Sequence, residues 1–388
     1  MTRESAAHWT DIVYRPLRRV GRQVWGKGVS RPPRTARRTD RYPALDNARF
    51  ILIALVVVGH LIEQLVHTGP AADALYRWIY LFHMPAFVLI SGALSSPVLT
   101  RRRLVRIVTG LLLPYVLFQT LYPAWDAWLF GSGDWSQGYL TPYWLLWYLL
   151  SLACWRLMLP VFARLKYPLP IAVAIALAAG AVSWIGYPFS LSRTLAFFPL
   201  FLLGFRLRAW RLQHLGGTAT RKSLAVLILA GTVAGAWFLR GLDPQWLYAS
   251  VDYGTLGVAP VLGAGIRLAL LAASSACALS VLTLVPRRPR WAGAGRRSID
   301  AYLLHGFLVR AALAAGGFAW LDGAIPEGAA LVVVVAAGWL IAGLLSTRAV
   351  DRLARPLMRP ADWSLEKWRG IRWRSVREWT QAFKRFTG

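Results

Sequence analysis

His60 and Glu63 stand three residues apart in RFILIALVVVGHLIEQL, residues 49–65, a stretch that is otherwise almost wholly apolar. Side chains at i and i+3 of a helix share a face, so one element would present an imidazole and a carboxylate together. That pairing suits acid–base chemistry. An imidazole titrates near neutral pH and can take a proton from a hydroxyl, and a neighbouring carboxylate can orient it or stabilise the cation it becomes. In a dry site desolvation keeps an isolated imidazole neutral, whereas an ionised Glu63 favours its cation.

Composition says what kind of element holds the pair. Of 388 residues, 56% are hydrophobic, 16% are charged and 20 are Trp, which is too apolar for an ordinary soluble domain. Ten apolar runs approach the length of a membrane helix, beginning near Phe50, Trp78, Leu104, Tyr143, Pro170, Leu195, Ser223, Leu256, Ile299 and Gly328. The fifth is short and Ala-rich, and the ninth is interrupted by His305, Arg310 and the Gly316-Gly317 pair. The expected fold is all-α: a polytopic membrane protein of about ten transmembrane helices around a central cavity.

The formal charge of +28 would suit a nucleic-acid partner if it formed a patch, but the Lys and Arg lie between and outside the apolar runs. With the N-terminus inside, the outer loops hold only Arg77, Arg193 and Arg240. Positive residues concentrate in cytoplasmic loops, so both termini are expected inside, an even number of spans follows, and nucleic acid is excluded. Residues 1–48, Arg-rich and broken by Pro, read as a basic cytoplasmic tail, and 49–347 as the membrane domain. Residues 348–388 read as a second basic tail, in which Leu365, Trp368, Val376, Trp379, Phe383 and Phe386 approach helical spacing and could lie on an anionic leaflet. Cys154 and Cys277 fall in membrane runs and make neither a disulfide nor a metal framework. The preference for Arg over Lys points to a GC-rich bacterial genome, hence to a bacterial inner membrane.

Ionisable residues within spans are costly and call for a reason. Besides His60 and Glu63, His83 and Ser91 lie in YLFHMPAFVLISG, Asp300 and His305 in SIDAYLLHGF, and Arg103 and Arg106 in TRRRLVRI. Structural readings stand beside the functional ones. His83 or His305 alone can be a hydrogen-bonded packing residue, and the Arg cluster can simply mark the inner side. Asp46, in LDNAR, suits a helix N-cap. The aromatic outer loop at 125–144 can be a sugar-stacking platform or an interfacial belt. No Gly-rich phosphate loop, nucleophile elbow, HExxH pair or long-period repeat occurs. Any chemistry must therefore lie within the membrane domain.

Several of these stretches resemble one family in order and spacing. Arg49 followed after ten residues by His60, FHMPAFVLISG in the second run and YLLH in the penultimate one are similar to the acyltransferase-3 superfamily of integral membrane acyltransferases. TPYWLLWYLLSLACWRL and FFPLFLLGFRLR resemble its fucose 4-O-acetylase-like branch, and the likeness covers roughly residues 41–347. The resemblance implies O-acylation of a carbohydrate or related hydroxyl, with acyl-CoA, most commonly acetyl-CoA, as the acyl source; no metal is expected, since the residues offer no metal framework. It also implies that His60 is essential and that Arg49, Arg103 and Arg106 match the family's arginines.

The residue chemistry can be fitted to that activity. Arginines at the cytoplasmic surface suit CoA phosphates. His60 lies about 16 Å along a helix from Arg49, near mid-membrane, with Glu63 about 4.5 Å further out. His60 would be the base or the acyl carrier, and Glu63 its partner. Asp46, His83, Ser91, Trp144, Trp147, Tyr148 and His305 are further candidates for the substrate cavity. A transporter or flippase is the main alternative, since midplane polar residues also mark transport paths, although no pair of matching halves is evident. A non-catalytic scaffold would leave the His60–Glu63 pair without a role.

Overall fold

A computed structural model describes residues 42–136 and 138–358, and every regular element among them is helical. Helix α1 (Pro43–Ile62) runs on through a 3-10 turn at Glu63–Leu65. It is followed by α2 (Pro70–Ala93), α3 (Arg101–Phe130, with a π turn at Val108–Leu112) and α4 (Trp144–Phe162). Next come the short α5 (Pro168–Ala179), then α6 (Leu191–Leu212), α7 (Ala219–Phe238) and α8 (Pro260–Leu284). The described chain closes with α9 (Ser298–Ala314), α10 (Gly317–Ala324), α11 (Glu327–Leu345) and α12 (Arg348–Met358).

Among the described residues eight helices are long and apolar enough to cross a bilayer, and α9 with α10, bent by 61° between them, would add a ninth if the pair is one span. The bend is at Gly316, whose left-handed φ of 72° ends α9; His305 and Arg310, expected to interrupt this run, sit inside unbroken helix. The tenth apolar run is α5. Its 12 residues measure about 18 Å, short of the roughly 30 Å of a hydrocarbon core. Yet α5 must help return the chain, because α4 and α6 run the same way: Ser151 bonds to Ser190 and Thr194, and Phe162 meets Phe198. The end of α5 is finished by partners from afar. Arg267 donates to Ala176 O at 3.3 Å and Tyr253 to Leu177 O at 2.9 Å, so its last carbonyls are satisfied inside protein.

Proline sets several helix starts. Pro43, Pro70, Pro168 and Pro260 each open a helix, where a fixed φ helps and the missing N–H is no loss. Helix α1 therefore begins before the expected boundary at residue 49, and the basic tail expected over 1–48 overlaps it. Residues 1–41 of that tail lie outside the described residues, as does the amphipathic stretch expected over 365–386. Asp46 is not an N-cap: Tyr42 holds that position without a side-chain cap, and Asp46, in the first turn, pairs with Arg49 at 3.3 Å and Arg296 at 3.6 Å. Regular α geometry stops at Ile62, so His60 lies in the last turn of α1.

Burial separates centre from rim. The best 18-residue window of α1 is 78% buried and that of α7 only 6%, so α1 is the axial helix and α7 faces outward. Leu224, Leu227 and Phe238 on α7, Val261 and Leu262 on α8, and Val332 and Leu340 on α11 are exposed apolar side chains. Such a belt is tolerable in lipid and not in water.

One crossing governs the width of the interior. A Cβ on Gly92 of α2 would fall 1.9 Å from Phe201 O, and one on Gly204 of α6 would fall 1.9 Å from Leu89 O. Backbone thus lies on backbone at both points, the small-residue approach used where lipid gives no hydrophobic drive between helices. The loops sort to two ends. At one, Glu327 accepts from Ala71 and Ala72 N–H at 2.8 Å, and Phe189 N–H donates to Leu140 O. At the other, Asn47 donates to Pro286 O and Arg288 O, and Arg297 to Ser346 O.

Candidate active site

His60 faces a cavity of about 450 Å³ whose wall includes Glu63, Tyr80, His83, Trp144 and Trp147. A second cavity, about 860 Å³, lies beyond it on the side of Asp126 and Arg310, and Glu63, Trp144 and Tyr187 line both. The inner chamber thus adjoins an outer vestibule at the His60–Glu63 turn.

The local chemistry follows from hydrogen-bond inventory. His60 Nδ1 is 2.9 Å from Glu63 Oε2 and 3.2 Å from the Tyr80 hydroxyl. An ionised Glu63 can only accept, and it then pairs with the tautomer that has the proton on Nδ1 and the lone pair on Nε2. A carboxylate-oriented imidazole with a bare Nε2 is the arrangement of a general base. Helix α1 tightens to 3-10 geometry at Glu63, which keeps its side chain one turn from His60.

Three other elements close around this ring. Trp144 stacks edge-on at 4.5 Å between centroids, and His305 of α9 lies roughly parallel at 5.3 Å. Trp144 has φ of 37°, which a bulky residue rarely adopts; its ring meets both His60 and His305. His305 Nδ1 donates to Ala301 O at 2.9 Å, and its Nε2 is buried with no hydrogen-bond partner. His83 likewise donates from Nδ1 to Ile79 O at 2.7 Å and turns its ring to Tyr80. In each of these two histidines the carbonyl acceptor places a proton on Nδ1.

The remaining candidates fall into a second group further in. Ser91 and Tyr148 share a hydrogen bond of 2.7 Å, and Tyr148 lies 6.0 Å from Tyr302, which reaches the cavity wall. Arg49 is paired with Asp46, and Arg156 of α4, which the sequence did not single out, is half-buried. Arg103 donates at 2.6 Å to Ser96 and to Val98 O, bracing the loop after α2, and Arg106 is exposed on the same helix. Among the described residues no contact joins Arg103 or Arg106 to Arg49.

Several groups at the site were not among the residues expected there from sequence. Arg310 grips Asp126 through two bonds of 2.7 and 2.8 Å, and Tyr143 also bonds Asp126. This partly buried fork ties α9 to α3 across the vestibule, between residues 184 apart in sequence. Tyr80 had a findable signal, standing at i−3 to His83 on the same helix face. Arg193 entered only as an outer-loop charge, yet it lines the His60 cavity.

Comparison with known proteins places this architecture. Nodulation protein NolL of Mesorhizobium japonicum is 32% identical over 182 residues, covering 43% of this chain and 48% of that protein. Nodulation protein NolL of Sinorhizobium fredii is 28% identical over 226 residues, covering 54% of this chain and 60% of that protein. The chain spans about half the length of the curated relatives it matches. No solved structure matches. The family model described as Acyltransferase domain matches residues 42–344, from the start of α1 to the end of α11 and so across the His60 cavity, and the chain belongs to that acyltransferase-3 family.

Proposed function

We propose that this chain is a membrane O-acyltransferase that moves an acyl group, most simply acetyl, from cytoplasmic acyl-CoA to a hydroxyl of a carbohydrate or related envelope acceptor. The observation that carries the reading is the His60–Glu63 contact of 2.9 Å in the wall of a 450 Å³ chamber beside the vestibule. In the reaction, His60 Nε2 takes the hydroxyl proton as the acceptor oxygen attacks the thioester carbonyl. The tetrahedral species collapses with cleavage of the C–S bond, and the imidazolium returns its proton to the departing thiolate. The products are the O-acyl ester and free CoA thiol. Glu63 holds the ring and stabilises its cationic form, which desolvation opposes.

The acyl source enters from the end that carries Arg49 and Arg156, and the acceptor from the vestibule. Turnover of acetyl-CoA by purified protein in nanodiscs, with release of CoA thiol in the presence of envelope glycans, tests the reading. Transport of a glycan precursor without thiol release would favour a transporter instead.

If Arg49, Arg103 and Arg106 contact CoA phosphates, the Arg103→Ala/Arg106→Ala double variant should mainly raise KM for acyl-CoA. Charge-assisted contacts remote from the reacting carbon are largely uniform binding. Lysine should restore binding only in part, because it lacks the planar fork. A folded double variant with unaltered KM would leave this cluster as a mark of sidedness, with Arg103 bracing its loop.

Both termini are placed in the cytoplasm of a bacterial inner membrane, because positive loops stay inside. With Cys154 and Cys277 replaced by alanine, cysteine at Ser136 should react with an impermeant maleimide in intact cells, and cysteine at Thr220 only after lysis. The opposite pattern would invert the entry sides of both substrates.

A further inference from the structure

We propose that Arg193 forms an oxyanion subsite in the His60 cavity, receiving a phosphate or carboxylate group carried by the hydroxyl acceptor. The proposal rests on the reading of this cavity as the place where the acceptor is held. Arg193 stands in the first turn of α6 and lines the same chamber as His60 and Glu63. Its guanidinium carbon lies 5.1 Å from the Trp147 ring centroid and 4.9 Å from that of Tyr187. Stacking on two rings fixes the guanidinium plane while leaving its N–H edge available for a planar or tetrahedral anion.

The group lacks partners of the kind that Arg77, Arg310 and Arg267 have. Arg77 pairs with Asp73 at 2.8 Å, Arg310 with Asp126 at 2.7 Å, and Arg267 donates to two carbonyls. Arg193 makes no ion pair among the described residues, and its Nε is buried without a hydrogen-bond partner. The one carboxylate in the chamber wall, Glu63, is engaged by His60. A buried guanidinium donor left unpaired is costly, so the position is poorly explained by stability.

Helix position sharpens this. The first turn of a helix carries partial positive charge and favours anions, so a cation there is opposed by the dipole. An incoming oxyanion would satisfy the free guanidinium edge and the helix terminus together. Gln245, Tyr248 and Ser250 line the same side of the chamber, polar groups suited to the hydroxyls of a sugar that bears the charge. The acceptor class is therefore an anionic glycoside: a sugar phosphate or a uronic acid.

The test is equilibrium binding to the full chain in nanodiscs, followed by Trp fluorescence, with glucose, glucose 1-phosphate and glucuronate as probes. Both anionic sugars should bind at least about tenfold more tightly than glucose, as expected for charge-assisted bonds. Arg193→Gln should abolish that preference, and Arg193→Lys should keep part of it. Tighter binding of glucose 1-phosphate assigns the phosphate source, and tighter binding of glucuronate the carboxylate source. Equal binding of all three probes, binding of none, or a preserved preference in Arg193→Gln overturns the proposal. If Arg193→Gln does not fold, an undiminished preference in Arg193→Lys overturns it. Acetyl-CoA binding to the wild-type chain is measured separately. Its absence beside an Arg193-dependent preference would sink the transferase reading and leave this subsite standing.

Discussion

Replacing His60 by alanine is expected to lower kcat by at least about 10²-fold while acyl-CoA still binds. The magnitude is that of a lost general base, and it rests on the carboxylate-oriented ring in the chamber wall. Glu63→Gln should cost less, because an amide can still accept from Nδ1 while losing the charge that stabilises the imidazolium. Rapid quench of labelled acetyl-CoA, with no acceptor present, separates two routes. Label retained on His60 would replace direct transfer by a two-step passage through an acyl-imidazole. Near-normal turnover in a folded His60→Ala chain would sink both, and His305, with its unpartnered Nε2 beside the same ring, would take first place.

Gly204→Leu is expected to remove roughly 3 kcal/mol or more of stability, read as a large fall in Tm in nanodiscs or a failure to accumulate folded protein. A Cβ there would lie 1.9 Å from Leu89 O, where the obstacle is backbone and cannot rotate away. The crossing holds α2, which carries Tyr80 and His83, against α6, which carries Arg193. Gly204→Ala should show the same direction with a smaller fall. Its effect should extend to turnover, because separating the two helices widens the chamber they wall. A Gly204→Leu chain that melts like the wild type would show that the crossing is not tight.

Much of the membrane plan was legible from residues 42–347. Each of the ten apolar runs has a helical counterpart, although α5 is short, because an apolar run has few other ways to satisfy its backbone in lipid. Boundaries were less legible. Hydropathy finds the apolar centre of a span and not its first turn, so the start of α1 was missed by several residues and Asp46 was misread as a cap. The break of the ninth run was correctly sensed, but polar residues were blamed along with the glycines. Helical hydrogen bonds tolerate His305 and Arg310, whereas Gly316 adopts the left-handed φ that ends the helix.

The sequence by itself determined the His60–Glu63 pair, because three residues on one helix fix a distance through local geometry alone. It also determined the family, through ordered short segments rather than any single motif. Only the tertiary structure decided what faces that pair. Trp144, His83 and His305 come from three other helices, Arg310 meets Asp126 across 184 positions, and Arg193 leaves its loop character to become part of the chamber wall. Such meetings depend on how each helix is rotated about its own axis and how closely it approaches its neighbours. In a chain where nearly every face is apolar, hydropathy does not specify that rotation. It is set by pairwise packing, by small residues such as Gly92 and Gly204 and by buried polar bonds, none of which is a property of any one segment.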